Sequence, residues 1–159
     1  MRIISIDPGY ERLGIAVLEK NGGSKEVVLY SDCFKTNAKL AHTERLGLIG
    51  NEIQKIIEHY EPKALVLETL FFTVNQKTAI KVAEVRGVIL FIAQKFDLNV
   101  FEYGPLQVKV AVTGYGKSDK SAVISMVQKL VETKKDIQHD DEYDAIALGL
   151  TCFATEKFS

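Results

Sequence analysis

The run Ala64-Leu65-Val66-Leu67-Glu68 decides the fold. Four apolar residues in a row predict a strand buried on both faces, as a central parallel strand requires. Upstream, Leu46, Ile49, Ile53, Ile56, Ile57 and Tyr60 recur at helical spacing within about Leu40–Tyr60, and Pro62 follows where a stop belongs. Downstream, Ile80, Val82, Ala83, Val85 and Ile89 predict a helix over Gln76–Phe96. Asn99–Tyr103 reads as a further strand, and two helices are expected after it, over Ser118–Glu132 and Asp140–Lys157. At the start of the chain, Arg2–Ile6 is a strand stopped by Asp7-Pro8-Gly9. Leu13–Leu18 and Glu26–Phe34 are strands joined by a hairpin turn at Asn21-Gly22-Gly23.

The resulting order, βββαβαβαα, implies an α/β chain whose five-stranded mixed sheet carries helices on both faces. That is the ribonuclease H-like architecture. With 159 residues, 47% hydrophobic and 26% charged, the composition is that of an ordinary globule and excludes disorder. One domain over residues 1–159 is expected. No apolar run reaches the ~18 residues of a membrane span, and Met1–Asp7 lacks the pattern of a secretory signal. A cytoplasmic protein without membrane contact is the expectation. Cys33 and Cys152 lie far apart, which rules out a cysteine zinc site and predicts two small buried thiols.

The net charge of -1 hides a division. Thr73–Lys135 holds ten Lys and Arg against five Asp and Glu, whereas the rest of the chain holds 10 against 16. A basic middle with acidic flanks suits a chain that holds a nucleic-acid backbone with one part and cations with another. It also suits a soluble protein whose charge is merely uneven.

The acids sharpen this. Asp7 ends the first strand and Glu68 the central one, and ligand sites of open α/β sheets gather at the carboxyl ends of strands. Asp141 and Asp144, three apart at the start of the last helix, share a face. Four such carboxylates without Cys or His at ligand spacing select Mg²⁺ or Mn²⁺ over zinc. Taken singly, Asp7 also reads as a turn-former and Asp141 as a helix cap. Glu68 is harder to explain away after so apolar a run.

Ile3-Ile4-Ser5-Ile6-Asp7-Pro8-Gly9, Leu67-Glu68-Thr69-Leu70-Phe71-Phe72 and Ala83-Glu84-Val85-Arg86-Gly87 occur in order. Phe101-Glu102-Tyr103, Gln107-Val108-Lys109, Gly114-Tyr115-Gly116-Lys117-Ser118-Asp119-Lys120 and Asp141-Glu142-Tyr143-Asp144-Ala145-Ile146-Ala147 complete the set. Together they resemble RuvC, the bacterial Holliday-junction resolvase family, over nearly the whole chain. The resemblance implies that Asp7, Glu68, Asp141 and Asp144 are the catalytic, metal-holding acids, with His139 and Asp140 supporting them or facing solvent. It implies two Mg²⁺ ions per active site, with Mn²⁺ able to substitute. The activity implied is endonucleolytic resolution of four-way junction DNA by paired symmetric nicks that leave 5′-phosphate and 3′-hydroxyl ends. The partners implied are a second copy of the chain and a branch-migration motor. The helix over 76–96 is the expected homodimer face. The chain has less basic sequence after its last helix than some relatives, which is expected to weaken DNA affinity and spare the chemistry.

Phe71 is the expected aromatic at the junction centre, since exposed rings stack on unpaired bases; Phe72 is expected to turn inward. Lys109, Lys117 and Lys120 are candidates for phosphate contacts on either side of a flexible Gly114-Tyr115-Gly116 loop, with Lys77, Lys81 and Arg86 extending the stripe. Three other readings compete. An actin-like ATPase opens similarly but needs a second such domain, an inactive junction binder has no need of four acids, and RNA-acting relatives share only the opening motif.

Overall fold

The computed structural model describes residues 1–23, 25–69 and 76–158. Three antiparallel strands open the chain: β1 (Arg2–Asp7), β2 (Arg12–Glu19) and β3 (Glu26–Lys35). Helix α1 (His42–Tyr60) leads to β4 (Ala64–Glu68), which lies parallel to β1. Helix α2 (Gln76–Lys95) then crosses to β5 (Asn99–Tyr103), parallel to β4. Helices α3 (Pro105–Thr113) and α4 (Lys120–Leu130), strand β6 (Val131–Thr133) and helix α5 (Asp140–Thr155) complete the chain. The sheet order is β5-β4-β1-β2-β3-β6.

The α/β class and the mixed sheet with helices on both faces stand as expected, but among the described residues the sheet has six strands and not five. Val131 and Glu132, the last two residues of the helix expected over Ser118–Glu132, instead leave α4 and with Thr133 pair in parallel with Glu26–Val28. Three residues carry too little pattern to announce a strand, and the partner's open edge supplies the reason. Helix α3 was not anticipated either. Pro105 occupies its first turn and Gly114 ends it in the left-handed region, φ +77°.

Two cores flank the sheet because side chains alternate along each strand. Ile4, Ile6, Leu13, Ile15, Val17, Leu65 and Leu67 pack under α1 and α2. Ile3, Ala16, Leu18, Ala64 and Val66 pack with α3, α4 and α5. Asp7 follows Ile3 and Ser5 on the α5 side, and Glu68 follows Ala64 and Val66 on that same side. The register pairs Ile3 with Ala64 and Ser5 with Val66, so the next step along the face sets Asp7 beside Glu68.

Candidate active site

Helix α5 brings the other two acids to this edge, and buried polar groups fix where it starts. Ser5, fully buried two residues before Asp7, donates to the Ala145 carbonyl at 2.7 Å. Gly14 lies opposite Asp7 in the β1–β2 register, and a Cβ there would collide with the Asp141 carbonyl. Only glycine lets the helix start come so close. Glu142, 1% exposed, accepts from Ser31 Oγ at 2.6 Å and from Lys135 Nζ at 2.9 Å, and Lys135 also donates to the Ser31 carbonyl at 2.6 Å. Burial works against the Glu142 carboxylate, yet these two donors hold its pKa below the ordinary value. The cluster fastens the first turn of α5 to β3.

Asp7, Glu68 and Asp144 line one cavity of about 320 Å³, with Pro105, Val108 and Lys109 of α3 and Lys120 and Val123 of α4. Burial, and then the charges of Glu68, Asp144 and Asp141, push the Asp7 carboxyl up to about 8. Protonated, it hydrogen-bonds to Glu68. Glu68 is raised by burial and by Asp144, and Asp144 by burial against the opposing pull of Lys120. Asp141 stands at the rim, where its Oδ2 accepts from Arg12 at 2.6 Å and from the Cys33 thiol at 3.4 Å. Lys120 Nζ lies 2.9 Å from Asp144 and 3.6 Å from Asp140. Burial disfavours its ammonium, but the two aspartates more than offset this and raise its pKa.

Among the described residues, no group of three or more His, Cys, Asp or Glu side chains is closed into a ready-made cation cage. The donors nonetheless suit a hard divalent cation: they are all oxygen, and burial together with the negative charge of their neighbours raises the pKa values of Asp7, Glu68 and Asp144. Asp141 and Asp144 do not cap α5, because its N-cap is His139, which makes no side-chain capping bond. Asp140 is exposed.

The predicted DNA contacts divide. Phe71 and Phe72 lie outside the described residues. Lys109 lines the cavity, and Lys117, in the turn before α4, and Lys77, in the first turn of α2, are exposed. Lys81 Nζ sits 4.9 Å from the centre of the Tyr10 ring, with Arg45 at 5.1 Å from the same ring. Arg86 is 12% exposed, its guanidinium bonded to the Glu68 carbonyl and to Glu102. Both cysteines are buried and free. Sequence reasoning missed Arg12, Ser5 and the Ser31–Glu142–Lys135 cluster. One signal was available for Glu142: it shares a helical stripe with Ile146 and Gly149, and a charge on a core-facing stripe needs a partner.

Carboxylates crowded until one holds a proton near neutrality make poor structural glue, and such crowding is useful where a phosphodiester must be cut. Fold and site thus define a nuclease of the ribonuclease H-like kind. The family model for the crossover junction endodeoxyribonuclease RuvC matches residues 3–152. The RuvC of Thermosipho melanesiensis is 43% identical over 156 residues, 98% of each chain, and that of Halothermothrix orenii is 41% identical over 150 residues, 94% of this chain and 90% of its own. Thermus thermophilus RuvC in complex with a Holliday junction substrate superposes with a TM-score of 0.88 at 32% identity, covering 95% of this chain and 92% of that one. The yeast mitochondrial resolvase Ydc2, at 11% identity and a TM-score of 0.69, shares the fold. The chain belongs to the RuvC family of crossover junction endodeoxyribonucleases.

Proposed function

We propose that this chain resolves four-way DNA junctions by metal-assisted phosphodiester hydrolysis, as a single nuclease domain acting in the cytoplasm. The observation that carries the reading is the convergence of Asp7, Glu68 and Asp144 on one cavity, with Asp7 raised to about 8 by burial and by its acidic neighbours. Divalent cations, Mg²⁺ with Mn²⁺ as substitute and two per site, would supply an activated water and neutralise charge on the phosphate and the leaving 3′ oxygen. Asp7, Glu68, Asp141 and Asp144 would hold them. Arg86 braces the Glu68 main chain, and Ser5 and Glu142 set where Asp141 and Asp144 stand. Lys120 and Arg12 neutralise the outer acids and stand ready to meet the substrate phosphate as cations take their place. Lys77, Lys81, Lys109 and Lys117 would hold the arms, and Phe71 the junction centre.

Two symmetric cuts call for two copies. Ile80, Gly87 and Phe91 fall on one exposed stripe of α2, with Ile80 57% and Phe91 69% exposed, which favours a homodimer through this helix. A branch-migration motor is the further partner that the family resemblance suggests. The test is cleavage of a synthetic mobile four-way junction with Mg²⁺ or with EDTA, beside linear duplex and single-stranded RNA. Paired, ligatable nicks in the junction alone, lost in EDTA, are expected. Tight binding without cuts in either metal would leave a junction-binding module, and cuts in RNA alone would overturn the substrate.

A further inference from the structure

We propose that Tyr115 is a stacking platform for an unpaired base of the DNA, set on an apolar ledge with Leu106 and Val110 beside the catalytic cavity. This rests on the reading of the chain as a junction nuclease. Helix α3 presents two faces. Pro105, Val108 and Lys109 line the cavity, whereas Leu106 and Val110 are 64% and 49% exposed. The turn after the helix folds back over these two, and a Cβ at Gly116 would press on both side chains. The loop expected to be flexible is therefore fastened.

Its central residue is held at both backbone groups. The Tyr115 N–H donates to Thr113 Oγ1 at 3.1 Å, and that hydroxyl donates to the Lys109 carbonyl at 2.7 Å. The Tyr115 carbonyl accepts from the Ser118 N–H at 3.1 Å and from Ser118 Oγ at 2.7 Å, and Ser118 is buried. The residue meanwhile is 61% exposed. An aromatic side chain whose backbone is already fixed loses little further freedom when a flat partner covers it. The surroundings say which partner. Lys117 is exposed in the same turn, Lys109 and Lys120 line the adjoining cavity, and the carboxylate of Asp119 is occupied with the Ala122 N–H as the cap of α4. An exposed lysine in the same turn and two more at the adjoining cavity suit an anionic polymer with flat faces, and they disfavour a second copy of the same surface. Intact duplex hides its base faces, so the platform selects DNA whose bases are unstacked, as at a junction's crossover.

Tyr115→Ala and Tyr115→Leu are expected to weaken junction binding by about 5- to 150-fold, the range of one lost base stack. Binding to linear duplex should stay within about twofold, because the phosphate contacts remain. Tyr115→Phe keeps the ring and should bind the junction within about threefold of the parent. Thermal unfolding of all three should match the parent, since the turn is held by the backbone of residue 115 and by Thr113 and Ser118. Unchanged junction affinity in Tyr115→Ala, with a parent that cuts junctions, overturns the platform and leaves the nuclease reading in place. An equal loss on duplex and junction also overturns it, as does a change of oligomeric state in either ring-less variant. A parent that neither binds nor cuts junctions removes both readings.

Discussion

The two ends of β1 treat charge in opposite ways. At the amino end each charge has a partner close by: Arg2 meets Glu19 at 2.9 Å and the Tyr60 carbonyl, the Met1 ammonium donates to the Lys20 carbonyl at 2.7 Å, and Lys20 meets Glu26 at 2.6 Å. At the carboxyl end Asp7 faces Glu68, Asp144 and Asp141, all of its own sign. One strand therefore has an end where electrostatics supports the fold and an end where it opposes it. The opposed end survives because groups outside the acid cluster over-determine its geometry: Ser5 on the Ala145 carbonyl, Glu142 on Ser31 and Lys135, and Gly14 beneath Asp141.

The largest effect expected from this contrast is that of Asp7→Asn. Cleavage should fall by at least ~10³-fold in a single-turnover assay while junction binding stays within about threefold. In EDTA the same substitution should raise the melting temperature, by about 2–4 °C for each kcal/mol of repulsion relieved. An Asp7→Asn protein that melts lower than its parent in EDTA would erase the contrast between the two ends.

A second test uses pH. The folded-state pKa of Asp7, about 8, lies above its ordinary value of 3.8, so between those limits the folded protein holds a proton that the unfolded chain has released. Stability in EDTA must then fall as pH rises from about 4 to 8 and level off above that, and Glu68 and Asp144, also raised, add in the same direction. Urea melts at pH 5 and pH 8 should differ by on the order of a few kcal/mol. Saturating Mg²⁺ should remove most of the difference, because a bound cation favours the ionised acids.

How far this could be read in advance depended on where the information lies. The strands of both cores were legible as short apolar runs, and the convergence of Asp7, Glu68 and Asp144 was legible in two strand-terminal carboxylates and an acidic helix start, because these are local patterns. The six-stranded edge was not, since Val131–Thr133 becomes a strand only by meeting Glu26–Val28. Helix α3 was hidden by Leu106, Val108, Val110 and Val112, which alternate like a strand; Leu106 and Val110 face outward, so no apolar stripe of helical period survives. Arg12 escaped notice because its nearness to Asp141 follows from the β1–β2 register and the docking of α5, not from spacing.

Glu142 tests whether the frustrated end is held from outside. Glu142→Gln keeps an acceptor for Ser31 but removes the charge facing Lys135. Because the lysine side chain is 47% exposed it can turn to water, so the cost should be about 1–2 kcal/mol rather than the larger penalty of a stranded buried ion. Cleavage should drop about 10-fold through displacement of Asp141 and Asp144, with junction affinity unchanged. Equal rates in parent and variant would assign the holding role to Ser5 and Gly14.

The smallest effect belongs to the satisfied end. Arg2 and Glu19 are 35% and 24% exposed in their side chains, their ion pair is screened by solvent, and pairs of this kind contribute about 0.2–1 kcal/mol. Arg2 also donates to the Tyr60 carbonyl at the end of α1, so Arg2→Ala should cost more than Glu19→Gln. In a double-mutant cycle the coupling between Arg2 and Glu19 should fall as salt is raised, and neither variant should change the cleavage rate by more than about twofold. A large rate effect from Arg2→Ala would mean that the two ends of β1 communicate through the strand. The rigid pairing of Ile3, Ser5 and their neighbours with β2 and β4 argues against this, because a strand hydrogen-bonded on both sides absorbs a change at one end without shifting the other.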